Sequence, residues 1–205
     1  MTPPRSPDRP AGESRCDPCE NPPRRVFSCA LPDGRRLEGL APIVSPATVV
    51  LVLGSFPGAR SLAEGRYYAH PQNHFWKILQ ALWPSRPLPP GTAFHTRGEW
   101  LLERGLGVWD IYGTCAREGS LDTSIRDAVL NDFAGLDLPR LAAVAHNGAE
   151  SFRHAPKVVE ALQRAGHVPL PAYKLPSTSP AHAAMSFERK CEAWHEVFER
   201  HGLVA

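Results

Sequence analysis

At 205 residues the chain is sized for one domain and can bury a sizeable core. A net charge of +2 gives no overall pull toward nucleic acid, so a local patch must meet any polyanion. No apolar run approaches a membrane span, no apolar signal core opens the chain, and five cysteines, an odd count, fit a reducing interior.

Residues 1–25 are rich in proline and mix five Arg with four acids. They offer little apolar surface to bury and read as a disordered tail ahead of a single domain over 26–205. Cys16-Asp-Pro-Cys19 lies in that tail. A metal or iron–sulfur site there needs two further ligands, and Cys29, Cys115 and Cys191 are scattered. No metal or other cofactor is expected.

Val26–Leu31, the turn Asp33-Gly34 and residues 35–39 predict a hairpin covering one edge of a sheet. Thr48-Val-Val-Leu-Val-Leu53 is unbroken, apolar and rich in β-branched residues, which predicts a strand buried on both faces. Gly54 ends it, and Pro57 and Gly58 turn the chain outward. Pro71 suits the first position of a helix, in which Phe75, Ile78, Leu79 and Leu82 form a buried stripe and Asn73 falls in the first turn.

Residues 84–92 form a Pro-rich loop, and 97–104 a helix carrying Trp100 and Leu101. Leu106–Ile111 is a second strand, ending near Asp110. Residues 112–128 read as a long polar loop of the kind that is often functional, and 130–136 as a short helix. A third strand, 140–145, stops at His146-Asn147-Gly148, and a helix over 149–165 closes at Gly166. Residues 168–175 form an edge strand, marked by Pro169 and Pro171, and 186–201 a last helix bearing Phe187, Cys191, Trp194 and Phe198. Strands alternating with helices predict an α/β fold: a three-layer α/β/α sandwich around a central, mainly parallel four-stranded sheet. Asn73, Asn147 and the Ser177 region then stand at the carboxyl ends of the strands, where open α/β sheets bind ligands.

Two separated motifs carry a family resemblance. Gly54-x-x-Pro57-Gly58 followed by Tyr68-Ala-His-Pro-x-Asn73-x-Phe-Trp76 resembles the first motif of the uracil-DNA glycosylase superfamily, and is most similar to its hypoxanthine-DNA (deoxyinosine) glycosylase branch. Leu175-Pro-Ser-Thr-Ser-Pro-Ala-His182 resembles the second motif, the loop that enters DNA. The match runs over roughly residues 35–200. The mismatch-specific glycosylases share this layout but carry Asn where this chain has Phe56. The resemblance therefore implies that catalysis rests on Asn73.

It also implies a partner, DNA containing a deaminated base, with hypoxanthine first and uracil second. Such a base must leave the stack to be cut. Tyr68 matches the family's stacking aromatic, and Asn147 the base-recognising Asn at a strand end. Ser55 and Phe56 join them at the base. An amide offers both a donor and an acceptor to a base edge. Asn73 cannot take a proton at neutral pH, but it can orient a water and stabilise positive charge on the sugar. Ser177, Ser179, Pro180, Ala181 and His182 supply hydroxyls and backbone amides for phosphate, with His182 placed to fill the vacated stack.

Each residue also has a plainer reading. Asn147-Gly148 is a common turn, Asn73 a helix-start residue, Tyr68 a core aromatic, and Ser177–His182 a capping loop. Asp110, Ser120 and Asp122 are further polar candidates on the same face; Asp110 could hold a water or another loop. A Ser55–His182–Asp110 triad exists by residue type, but without the Gly-x-Ser-x-Gly elbow. A lyase needs a nucleophilic amine, and the four lysines, at 77, 157, 174 and 190, lie outside the motifs. The expectation is a monofunctional, monomeric, cytoplasmic glycosylase that leaves an abasic site. The alternative is a nucleic-acid-binding module of the same fold without the chemistry, which Phe56 keeps open.

Overall fold

The computed structural model describes residues 36–91 and 93–204. The tail over 1–25, Cys16, Cys19 and Cys29, and the first arm and turn of the predicted hairpin lie outside those residues.

The central sheet has four parallel strands in the order β3-β2-β6-β7. They are β2 (Val50–Gly54), β3 (Leu106–Asp110), β6 (Ala143–Asn147) and β7 (Ala172–Leu175). β2 lies in the middle and Val50 to Leu53 are fully buried, as an apolar run without alternation requires. β7 is an edge strand, in keeping with Pro169 and Pro171 just before it.

From β2 the chain passes through α1 (Ala59–Glu64), α2 (Phe75–Leu82) and α3 (Phe94–Leu102) to β3 on one side. From β6 it passes through α4 (Ala149–Phe152) and α5 (Ala155–Arg164) to β7 on the other. Right-handed crossovers running in opposite directions place these two helix sets on opposite faces of the sheet. The last helix, α6 (Phe187–Arg200), packs on α2, with Trp194 edge-on to Phe75 at 5.8 Å between ring centroids. This is the three-layer α/β/α arrangement.

The structure departs from the sequence reading at several elements. First, residues 112–128 are not a loop. They begin with β4 (Tyr112–Ala116), and β5 (Arg126–Leu130) follows a turn at Asp122–Ser124. Second, Arg36–Glu38 is a strand, β1, that pairs antiparallel with β4 instead of covering the edge of the main sheet. Together β1, β4 and β5 make a separate three-stranded sheet. Third, the helix expected over 130–136 is only a 3-10 turn at Phe133–Gly135. Fourth, the helix expected over 149–165 breaks after Phe152, and Pro156 restarts it in the first turn of α5.

Candidate active site

β2 and β6 are neighbours whose outgoing connections run in opposite directions, so the crevice beyond their carboxyl ends is a topological switch point. A cleft of about 610 Å³ opens there. It is lined by the Gly54–Ser61 turn, by Tyr67, Tyr68, His70 and Asn73, by Asp110, by Ser120–Thr123, by Asn147 and by Ser177–His182. A more open cleft of about 740 Å³ lies at the opposite ends of the strands, against Val49, Gly105 and Arg140, and contains neither motif.

Asn73 lies on the cleft wall, but not in the first turn of a helix. α2 begins at Phe75, with His74 as its cap. The Asn73 side chain holds that start from outside: Oδ1 accepts the Phe75 N–H at 2.9 Å. A carboxamide that bonds the backbone two residues on competes with helix continuation, which explains why Pro71 does not open the helix. One Oδ1 lone pair and the Nδ2 group remain for the cleft.

Tyr68 reaches the cleft through a left-handed backbone, with φ of 53°. One face of its ring is stacked on Phe75 at 3.9 Å. Its hydroxyl is buried and finds no hydrogen-bond partner of ordinary geometry among the described residues. Burial, and then the nearby Asp110 carboxyl, hold the phenol well above its usual range, while the Asn147 amide acts the other way.

Asn147 ends β6 and is engaged at both ends of its amide. Nδ2 donates to Thr178 Oγ1 and Oδ1 accepts the Thr178 N–H, each at 2.9 Å. Thr178 is buried, and its carbonyl accepts the His74 N–H at 2.9 Å. Thr178 thus joins the β6 end, the α2 start and the Ser177–His182 loop. Gly148 follows at φ 105°, where an added Cβ would meet Ser177 Cβ at 3.1 Å, so the turn and the loop pack too closely for a side chain.

Within the loop, the Ser177 and Ser179 hydroxyl oxygens accept the Ser179 and Ala181 N–H groups at 3.2 and 3.3 Å. Their own O–H protons are left to donate outward. Pro180, Ala181 and His182 are exposed on the rim. The loop is gripped from behind by α6: Lys190 Nζ donates to the His182 carbonyl at 2.8 Å, and Trp194 Nε1 to the Pro176 carbonyl at 3.2 Å. Lys190 is only 1% exposed, and its burial lowers the amine's pKa. Its position within the apolar stripe of a helix gave no sequence signal for this role.

On the opposite wall, Ser55 Oγ donates to Asp122 Oδ1 at 2.6 Å. Ser55 is therefore committed to Asp122, and the Ser55–His182–Asp110 triad does not assemble. Phe56 is buried beneath the Arg117 guanidinium, whose carbon lies 4.9 Å from the ring centroid. Arg117 also donates to the Pro57 carbonyl. Ser120 Oγ accepts the Ala59 N–H at 2.9 Å. The segment after β4 thus fastens the Gly54–Gly58 turn at three points.

Asp110 ends β3 opposite Gly54 in register and is 3% exposed. Burial, and then the charge of Asp122, raise its carboxyl to about 7, against the opposing pull of Arg117. A side groove of about 220 Å³ shares Tyr68, His70 and Asn73 with the cleft and adds Arg66, Lys77 and Arg97. Arg66 and Arg97 are close enough that one lowers the other's pKa, after burial. Arg66 is ion-paired with Glu64, so Lys77 and Arg97 carry the groove's uncompensated positive charge, a local feature that the net charge of the chain does not reveal.

Among the described residues no group of three metal-ligating side chains is assembled, and no helix is long and apolar enough to cross a membrane.

Comparison with known proteins covers nearly the whole described chain. The sequence profile of the Uracil DNA glycosylase superfamily matches residues 41–199. A Methanosarcina barkeri protein named hypoxanthine DNA glycosylase is 31% identical over 165 residues, 80% of this chain and 98% of its own length. Its Methanosarcina acetivorans namesake is 31% identical over 164 residues, covering 78% and 97%. The solution NMR structure of a candidate uracil DNA glycosylase from Methanosarcina acetivorans superimposes with a TM-score of 0.65 at 28% identity, over 82% of this chain and 99% of that one.

Proposed function

The chain belongs to the uracil DNA glycosylase superfamily, and from that membership we propose that it is a monofunctional DNA glycosylase that extrudes hypoxanthine, and secondarily uracil, and hydrolyses its N-glycosidic bond. The observation that carries this reading is the cleft at the switch point, which Tyr68 and Asn73 of the first motif share with Asn147 and the Ser177–His182 loop of the second. Its size suits one extruded nucleotide, and the cationic side groove opens directly from it.

In this mechanism the base stacks against Tyr68, whose far face is already held by Phe75. Asn73 takes the water beneath the sugar. The Oδ1 bond to Phe75 N–H fixes the amide plane, so the remaining lone pair and the Nδ2 group are already aimed before substrate arrives. The same oxygen dipole stabilises the cationic sugar as the bond lengthens. Ser177 and Ser179 donate their free O–H protons to phosphate, and His182 occupies the gap left in the duplex. Asn147 keeps one lone pair for the base edge while holding the loop through Thr178, its amide also lying against the Tyr68 hydroxyl. Lys190 is occupied by the loop carbonyl, which supports hydrolysis over a lyase step. The protein works as a monomer, in the compartment that holds the DNA, and residues 1–25 lie outside its catalytic unit.

The test is a labelled duplex with one deoxyinosine, incubated with the protein and then treated with alkali, beside duplexes carrying uracil, xanthine or ethenocytosine. Strand scission at inosine is expected. Tight binding without scission at any base would leave only a binding module.

A further inference from the structure

Gly54, in the middle strand, has no side chain, and two polar groups converge over its Cα. A Cβ added there would lie 2.3 Å from Asp110 Oδ1 and 3.3 Å from the Tyr68 hydroxyl. Both groups face the cleft. Asp110 Oδ2 is buried with no hydrogen-bond partner among the described residues, and the Tyr68 hydroxyl, also buried, has only the Asn147 amide close to it, outside ordinary hydrogen-bond geometry. A buried polar atom without a partner is costly, and Asp110 Oδ2 on the floor of a cleft marks a place where a ligand completes the bonding.

The groups around Asp110 say what state it holds. Tyr67 and Tyr68 face it from the segment before α2, and Arg117 and Asp122 from the segment after β4. Arg117 is the only cation among them, and its guanidinium is partly spent on the Pro57 carbonyl and the Phe56 ring. Asp122 and burial oppose ionisation, which supports a carboxyl that keeps its proton near neutral pH.

Deamination replaces the amino group of a base with a carbonyl and turns the adjacent ring nitrogen from an acceptor into an N–H. A protonated carboxyl offers one donor and one acceptor to that new edge, while Tyr68 beside it supplies the stacking face. We propose that Asp110 is a specificity-determining residue: carrying its proton, and beside Tyr68, it hydrogen-bonds the carbonyl and N–H edge that deamination creates and holds the negative charge the base takes with it. This rests on the glycosylase reading above. In the step, the C1′–N bond breaks and its electron pair leaves on the base. The water oxygen bonds to C1′ and releases a proton to solvent. The departing anion spreads its charge onto the carbonyl oxygen held by Asp110, and then takes a proton from solvent. Asp110 keeps its own proton throughout.

The experiment is single-turnover cleavage of a deoxyinosine duplex from pH 5.5 to 8.5 by the parent, Asp110→Asn and Asp110→Ala, with folding checked by circular dichroism. The parent rate should fall above neutrality, approaching about tenfold per pH unit. Asp110→Asn retains a donor and an acceptor, so it should cleave within about tenfold of the parent at low pH and lose the fall. Asp110→Ala should lose on the order of a hundredfold at pH 5.5, with the gap narrowing as the parent rate falls above neutrality. A parent rate that rises with pH, together with an inactive Asp110→Asn, would mean that the carboxylate acts as a base and overturns the proposal. So would an Asp110→Ala variant within a few-fold of the parent at pH 5.5. The parent profile needs no variant, and a flat one refutes the proposal even if a substitution unfolds the chain. A parent inactive on every deaminated base sinks the underlying glycosylase reading instead.

Discussion

Asn147 and Thr178, 31 residues apart, are bonded twice through one carboxamide, Nδ2 to Oγ1 and Oδ1 to N–H. Each therefore fixes the other's orientation, and Thr178 passes the constraint to His74 through its carbonyl. Thr178→Val removes only the Oγ1 acceptor, leaves one amide proton of Asn147 unpaired and should cost about 1–2 kcal/mol. Because the loop is then held less firmly, affinity for DNA should fall more than the rate at saturating DNA. Chemical denaturation and single-turnover titration measure the two effects. An unchanged affinity would show that the loop is held by Lys190 and Trp194 alone.

Asn73→Ala should cost about 1 kcal/mol, since the Phe75 N–H loses its side-chain acceptor. Cleavage of a deoxyinosine duplex should drop by about 10²–10³ while binding stays near the parent value. Asn73→Asp keeps the acceptor for Phe75 and adds a negative charge near the sugar, so it should retain or raise the rate. An alanine variant within a few-fold of the parent would remove Asn73 from the chemistry.

Two buried groups should oppose each other in the pH dependence of stability. Asp110 titrates near 7 when folded and near 3.8 when unfolded. Its contribution is complete below 3.8 and is lost as pH rises toward 7. His146 is fully buried, with Nδ1 against Ser151 Oγ at 2.9 Å, and burial lowers it from 6.5 to about 4. Its contribution is present above 6.5 and is lost as pH falls toward 4. Asp110→Asn should therefore raise stability at pH 8, by at most about 4 kcal/mol, with a matching rise in melting temperature, and leave both unchanged at pH 3.5. Equal shifts at both pH values would contradict the buried-carboxyl assignment.

Binding to DNA should weaken with salt, because Lys77 and Arg97 of the side groove would neutralise phosphates that the serine hydroxyls only hydrogen-bond. Lys77 is exposed on α2 and lines that groove. Lys77→Gln should lower the slope of log affinity against log salt by about 1 and leave the single-turnover rate at saturating DNA unaltered. A slope equal to the parent's would place the DNA strand elsewhere.

Much of the main sheet was legible in the sequence because its strands are buried on both faces. Val50–Leu53 can be nothing but apolar, and the helix stripes at Phe75–Leu82 and Phe187–Phe198 keep strict periodicity. The second sheet was not legible. The pairing of β4 with β5 shifts register twice, which breaks the alternation that marks a strand, and Arg126 to Val129 of β5 are exposed. The motif residues could be placed at the cleft, since each ends a strand or follows one. The partners that orient them could not, since Thr178 for Asn147, Asp122 for Ser55 and Lys190 for the loop are set by contacts distant in sequence or hidden in a helix face. The bare Cα of Gly54 under Asp110 is likewise a relation between two strands, invisible in either one.

The small antiparallel sheet also decides where the chain can be shortened. β1 pairs with β4, with Arg36 bonded to Thr114 Oγ1 at 3.1 Å and to the Asp127 carbonyl at 3.1 Å. β4 runs directly into Arg117, which grips the turn carrying Phe56 and Pro57. Trimming through residue 25 spares this linkage, whereas trimming through Gly39 should strip β4 of its outer partner and slacken the turn that lines the cleft. The amino-terminal limit of the folded unit is thus set by the Gly54–Gly58 turn, reached through β1 and its partner β4.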